Sequence, residues 1–162
     1  MQPFEYVAPT SLAAACELLK GASSTPTRIL AGGTDLLVQM RAGARTTSRV
    51  LDIKKIPETS VLEIGTDYVR IGAAVSAAQI CEHARLRQIF PGVVEAIELI
   101  GSTQVQGRAT PVGNLCNASP AADSVPALVA AGAEARVVGA NGERWLPVAE
   151  VAAAPGRTTL AP

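Results

Sequence analysis

Residues 28–43, RILAGGTDLLVQMRAG, set the first constraint on the fold: a short apolar strand runs without a spacer into two glycines and then into a helix. Arg28 to Ala31 reads as a buried strand, and Leu36, Leu37 and Met40 recur at helical spacing as far as Gly43. Gly32 and Gly33 between them can take φ > 0 and leave the backbone uncovered. Upstream, Phe4 to Val7 reads as a strand closed by Pro9. Thr10 or Ser11 can then cap a helix that carries Leu12, Ala15, Cys16, Leu18 and Leu19 on one stripe. Residues 23–27 read as a loop, and Val50 to Ile53 as a third strand. Strand, helix, strand, glycine turn, helix, strand is the order of a small α/β lobe.

After Ser60 the periodicity changes. VLEIG and YVRIG, separated by Thr66-Asp67, read as a β-hairpin. Ser76 can cap a helix through Cys81, and Phe90-Pro91-Gly92 leads into a helix bearing Val93, Val94, Ile97 and Ile100. The run GSTQVQGRATPVGNLCNASPAADS, residues 101–124, is dense in Gly, Pro, Asn, Ser and Thr. That density reads as turns, and the flanking elements make it a functional loop rather than a disordered one. Val125 to Ala131 reads as a short helix. Glu134–Val138 and Glu143–Leu146, joined at Ala140-Asn141-Gly142, read as a second hairpin. The tail AAAPGRTTLAP reads as a Pro-Gly loop and extended chain with no closing element, which predicts a piece of a longer protein.

Composition narrows the function classes. The 162 residues suffice for one core or for two small lobes sharing a cleft. With 48% hydrophobic but only 3% aromatic residues, that core must be built from small and branched aliphatic side chains. No apolar run approaches the roughly 18 residues of a membrane span. The N-terminus MQPFEYVAPTSL lacks a basic region followed by an apolar one, so a cytoplasmic domain is the default expectation. Net charge is zero, from 14 basic and 14 acidic residues, and no basic cluster stands beside stacking aromatics, which argues against a nucleic-acid partner. Cys16, Cys81 and Cys116 are scattered, there is no CxxC, and His83 is the single histidine. A zinc or iron–sulfur site built by this chain is therefore not expected.

Two segments carry chemistry. In AGGTDLL the glycines allow successive N–H groups to converge on an anion, and the following helix N-terminus adds partial positive charge. The plainer alternative is a tight strand-to-helix turn capped by Thr34 or Asp35, and residue types alone leave both open. The segment from Thr110 to Ser124 offers Thr110, Gly113, Asn114, Asn117, Ser119, Asp123 and Ser124 to phosphate or sugar oxygens. These residues can equally satisfy their own loop, with Asp123 capping the next helix.

Together the segments are distinctive. AGGTDLL at 31–37 and TPVGNLCNASPAADSVPAL at 110–128 resemble the flavin (medium) subunit of the molybdenum hydroxylases, the xanthine dehydrogenase and carbon monoxide dehydrogenase type. The resemblance also takes in FEYVAPTSLAAACELL, RIGAAVS, VVGANGERWLPV and PGRTTL, and so nearly the whole chain. It implies an α+β, two-lobed FAD-binding module: an α/β lobe over 1–57 and a second lobe with an antiparallel sheet over 58–162. The family's further C-terminal domain is absent from this chain. The FAD pyrophosphate would lie between Ala31, Gly32, Gly33, Thr34 and Asp35 on one side and Thr110, Gly113 and Asn114 on the other. Asp123 would bond an FAD hydroxyl, and Ile100 would stand near the flavin. No residue reads as a nucleophile or general base, as fits chemistry carried by the cofactor.

The implied function is electron transfer. Such a subunit takes electrons from the clusters of an iron–sulfur subunit, fed by a molybdopterin large subunit, and passes them to NAD or another acceptor. Two further readings stand beside it: a stand-alone flavin oxidoreductase, and a truncated or flavin-free relative serving as a structural or interaction module.

The chain departs from the family in one informative place. Relatives usually read Thr-Ile-Gly-Gly-Asn where this chain has Thr110-Pro111-Val112-Gly113-Asn114. Pro111 has no N–H, and Val112 resists φ > 0, so a loop using the first glycine's freedom would have to bend differently here. Among the remaining residues, His83 reads as a solvated surface histidine and Cys116 as a small packed hydrophobe. Cys16 and Cys81 read as core, and Tyr68 and Trp145 as hairpin packing.

Overall fold

A computed structural model of the chain describes residues 2–20, 22 and 24–160. Ser23, of the loop expected over 23–27, and Ala161 and Pro162, of the expected open tail, lie outside the described residues.

The first third is a three-stranded parallel sheet in the order β1 (Glu5–Val7), β3 (Arg49–Asp52), β2 (Thr27–Leu30). Parallel neighbours cannot be joined by a tight turn. The chain crosses over through α1 (Leu12–Lys20) and α2 (Leu36–Arg41) instead. Ser11 Oγ accepts from the Ala14 N–H at 3.2 Å and starts α1. Alternation along β3 sends its side chains to opposite faces. Val50 packs with Leu30 and Met40 against Phe4 and Leu36, on the α2 side. Leu51 packs with Ala15, Ile53 and Ile56 against Leu12, Leu18 and Leu19, on the α1 side. Burying each such side chain contributes about 1.5–3 kcal/mol, so the sheet is held from both faces.

One expectation for this sheet is corrected. The strand expected to be buried from Arg28 is an edge strand, because β3 and not β2 takes the centre; Arg28 is exposed and Ile29 is half exposed.

Among the described residues, the antiparallel part of the fold consists of three separate two-stranded sheets. The first is β4 (Leu62–Ile64) with β5 (Val69–Ile71), in the register Leu62↔Ile71. Its apolar face covers a core of Val75, Ala77, Ile80, Leu86, Val94, Ile97, Ile100 and Ala109. Those residues come chiefly from α3 (Ala77–Cys81), α4 (Ala84–Ile89) and α5 (Pro91–Glu98). Ser76 and Gln79 form a reciprocal capping box that starts α3. Tyr68 packs within its hairpin, where its hydroxyl donates to Glu63 Oε1 at 2.6 Å.

His83 is not a free surface histidine: its Nδ1 accepts from the Leu86 N–H at 3.4 Å and caps α4, a helix the sequence reading passed over. The larger correction concerns 101–124, where two helices replace the expected loop. These are α6 (Thr103–Gln106) and α7 (Pro111–Asn117), followed by α8 (Ser124–Ala130). A fourth cluster of Leu115, Val148 and Val151, backed by Val125, Leu128 and Leu146, holds α7 and α8 against the hairpin of β6 (Glu134–Gly139) and β7 (Gly142–Pro147). The tail also closes: β8 (Ala152–Ala154) pairs with β9 (Arg157–Thr158) around Pro155-Gly156. Among the described residues, no helix is long and apolar enough to cross a membrane.

Candidate functional site

The carboxyl edge of the parallel sheet is where the two singled-out segments meet. β2 ends at Leu30, whose carbonyl accepts from the Ile53 N–H at 3.1 Å. The chain then leaves the sheet at Ala31 and turns through the glycines into α2. Gly32 packs directly on the segment leading into α7: a β-carbon there would sit 2.0 Å from the Arg108 carbonyl oxygen and 3.0 Å from Ala109 Cα. Gly33 has φ +83°, and a β-carbon there would lie 2.8 Å from Leu30 Cδ1. Both positions therefore need glycine, the first for close approach and the second for its left-handed backbone.

Among the described residues, the amide N–H groups of Gly32, Gly33, Thr34, Asp35 and Leu36 have no acceptor. Asp35 stands at the N-cap of α2 in the αR region, and its side chain makes no cap bond. The expected Asp cap is absent because that backbone conformation is already helical, so a side-chain bond to N2 or N3 is not made. The row of amides is left for an external acceptor.

Opposite Gly32, Thr110 is 3% exposed and starts α7. Its Oγ1 accepts from the Gly113 N–H at 2.9 Å, and its carbonyl accepts from the Asn114 N–H at 2.9 Å. Pro111 occupies the first helical position, where a missing N–H costs nothing and the fixed φ suits the helix. Val112 lies in the same turn, and no residue from 110 to 117 has positive φ. Pro111 and Val112 thus sit in the first turn of α7 without backbone strain. Left-handed backbone is needed only at Ala118, φ 50°, which ends α7.

Side chains lock this arrangement. Ser124, fully buried, donates from Oγ to Asn114 Oδ1 at 2.8 Å, which fixes the Asn114 amide and joins α8 to α7. Gln39 Nε2 donates to Asn117 Oδ1 at 3.0 Å and joins α2 to α7. The structure therefore brings Ala31 to Asp35 together with Thr110, Gly113 and Asn114. Asp123 is exposed at the start of α8 and makes no side-chain cap bond. Ile100 is buried in the α3–α5 core beside Ala109. Cys116 is exposed over the residue as a whole, yet burial pushes its thiol up, while Cys16 and Cys81 are half buried. Trp145 is 58% exposed.

Sequence reasoning missed the polar group next to the first loop. Lys54 Nζ donates to the Ala31 carbonyl at 3.0 Å and pairs with Asp52 Oδ1 at 2.8 Å. Asp52 Oδ1 also accepts from the Lys54 N–H at 2.9 Å, and Tyr6 donates its hydroxyl to Asp52 Oδ2 at 2.7 Å. Burial pushes the Asp52 carboxyl up. The Lys54 ammonium and backbone N–H, with the Tyr6 hydroxyl, outweigh that push, and the group lies below its ordinary value. The same bond raises the Tyr6 phenol. The available signal was positional: Lys54 follows the end of β3 as Ala31 follows the end of β2, and parallel pairing puts both at one edge.

Two recesses lie elsewhere. One of about 520 Å³ is open between Arg144, Leu146, Glu150 and Thr159. The other, about 170 Å³, is lined by Met40, Arg41, Arg45 and Thr47 among others. Neither includes the glycine turn. The donor set at the turn, five successive backbone N–H groups without an acceptor among the described residues, is of the kind that fits an anionic group such as phosphate.

Comparison with known proteins gives the family. The family model described as "FAD binding domain in molybdopterin dehydrogenase" matches residues 2–162. The FAD subunit of nicotinate dehydrogenase from Eubacterium barkeri is 31% identical over 93% of this chain and 51% of its own length. The carbon monoxide dehydrogenase medium chain of Hydrogenophaga pseudoflava is 31% identical over 89% of this chain and 50% of its own. A solved structure of that organism's carbon monoxide dehydrogenase superposes with a TM-score of 0.93 at 30% identity, covering 99% of this chain and 56% of the other. The chain thus spans about half the length of the curated relatives it matches. With a family model matched over nearly its whole length and the same fold in a solved relative, the chain belongs to the family of FAD-binding domains of molybdopterin dehydrogenases.

Proposed function

We propose that this chain holds FAD as the flavin-binding part of a molybdenum hydroxylase, in complex with an iron–sulfur subunit and a molybdopterin-bearing large subunit. FAD held there would supply the electron-carrying chemistry between the partner's clusters and NAD or another acceptor. The observation that carries the reading is the row of acceptor-less amides from Gly32 to Leu36, walled by the Arg108–Ala109 backbone.

On this reading Ala31, Gly32, Gly33, Thr34 and Asp35 form one side of a diphosphate cradle, and Thr110, Gly113 and Asn114 the other. Ser124 occupies Asn114 Oδ1, which leaves Asn114 Nδ2 as a donor toward the cofactor. Asp123, exposed and free of a capping role, accepts from a cofactor hydroxyl. Ile100 backs the flavin side through the α3–α5 core. The proposed division into lobes at 57/58 is supported by buried clusters that each draw their fully buried residues from one side of it, with Ala73 and Ala74 packing across onto the Leu51 cluster. A cytoplasmic location is proposed on the three unpaired cysteines, as expected in a reducing compartment.

Titration of the protein into FAD, followed by quenching of flavin fluorescence, tests the cofactor reading. Saturable binding of FAD, much tighter than that of riboflavin, is expected, because the cradle holds phosphate. Equal affinity for FAD and riboflavin would remove the cradle from the account. Co-purification with iron–sulfur and molybdopterin subunits tests the assembly separately.

A further inference from the structure

The Ala31–Gly32 peptide sits at the point where β2 gives way to the glycine turn, and Gly32, packed on the Arg108 backbone, has no side chain to fix the rotation of that peptide. A peptide between sheet and glycine can rotate about its flanking dihedrals at small cost. In a trans peptide the C=O and N–H point in opposite directions. Whatever holds the Ala31 carbonyl therefore also decides where the Gly32 N–H points.

That carbonyl is held by Lys54 Nζ at 3.0 Å. Lys54 is in turn held by Asp52, which accepts from its ammonium at 2.8 Å and its backbone N–H at 2.9 Å. The Asp52 side chain is only 8% exposed and is the last residue of the central strand, so its position is set by the sheet core. Tyr6 on β1 fixes its second oxygen at 2.7 Å. A chain of contacts thus runs from β1 through β3 to the first peptide of the turn: Tyr6, Asp52, Lys54, Ala31. Because Asp52 neutralises it, Lys54 serves the turn as a directed donor more than as a bare charge.

We propose that Lys54 is a positioning residue for the diphosphate cradle: anchored by Asp52, it clamps the Ala31 carbonyl toward the sheet and so aims the Gly32 N–H, the first of the Gly32–Leu36 amides, at the phosphates of a dinucleotide. The proposal rests on the FAD reading for its ligand, but not for the clamp itself. Lys54 touches neither phosphate nor flavin on this account, and acts only through the Ala31–Gly32 peptide.

Two variants test it, Lys54→Met, which keeps the stem and removes the donor, and Lys54→Arg, which keeps a charged donor. The Lys54 side chain is 32% exposed, so the fold is expected to survive; Lys54→Gln serves as a second neutral variant. Backbone ¹⁵N order parameters are measured without ligand, and FAD affinity by fluorescence quenching. In Lys54→Met, Gly32 and Gly33 should lose order while β3 and α1 keep theirs. FAD affinity should fall about tenfold, the cost of ordering the released turn on binding, and Lys54→Arg should restore most of both. Unchanged order at Gly32 and Gly33, or unchanged FAD affinity in Lys54→Met, would overturn the proposal. If the wild-type chain bound no FAD while Gly32 and Gly33 still lost order in Lys54→Met, the FAD reading would fail and the clamp would stand.

Discussion

Gly32 and Arg108 are in backbone contact: a β-carbon on Gly32 would lie 2.0 Å from the Arg108 carbonyl oxygen. Through this contact the glycine turn and the entry to α7 form one surface rather than two neighbouring loops. Since the obstacle is backbone, no side-chain rotation can relieve it. Gly32→Ala should cost about 1–3 kcal/mol by overpacking, a fall in melting temperature of roughly 2–12 °C, and should weaken FAD as the two walls separate. Gly92→Ala in α5, where a β-carbon would meet nothing within 4 Å, is the control and should be neutral or slightly stabilising. A melting curve of each variant decides.

Thr110 and Asp123 separate capping from ligand contact. Thr110 is buried and caps α7, so Thr110→Ala should lose about 1 kcal/mol of stability. Asp123 is exposed and caps nothing, so Asp123→Ala should change stability by less than about 0.5 kcal/mol. As a charged acceptor for a cofactor hydroxyl it should nevertheless weaken FAD roughly ten- to hundredfold. Chemical denaturation and FAD titration on the same two variants give both numbers. A destabilised Asp123→Ala with unchanged FAD affinity would reverse its assignment.

Much of the parallel-sheet region was legible in the sequence. The two helix stripes and the Gly-Gly junction specify the crossovers, and only the strand order was hidden, which is why β2 was expected to be buried and proved to be an edge. α7 was missed for a different reason. Gly113, Asn114 and Asn117 are poor helix formers, and they outweighed the Thr110-Pro111 start signal that was there to be read. Tertiary contacts supply what propensity lacks: Leu115 in the core, and Ser124 and Gln39 on the two asparagines. The Lys54–Ala31 clamp could not be read from spacing, because it exists only once β2 and β3 lie side by side.

Asp52 predicts an acid-sensitive sheet edge. Its folded carboxyl lies below its ordinary value because Lys54 and Tyr6 outweigh burial. The folded state therefore binds the proton less well than the unfolded chain does. The stabilisation is complete above the ordinary carboxylate range, and is lost as pH falls through that range and then through the depressed folded value. Urea midpoints measured from pH 7 to pH 3 should drop more steeply below about pH 4 in the wild type than in Asp52→Asn. Parallel curves would show that Asp52 is not the group responsible.

The central claim is that the glycine turn and the start of α7 together hold the phosphates of FAD. Its most direct measurement is a titration of ¹⁵N-labelled protein with FAD, followed by amide chemical shifts. The account predicts the largest shifts at Gly32, Gly33, Thr34, Asp35 and Leu36, with a second group at Gly113 and Asn114. Shifts confined instead to the recess at Arg41 and Arg45, or to the one at Arg144 and Glu150, with the glycine turn unmoved at saturation, would contradict it.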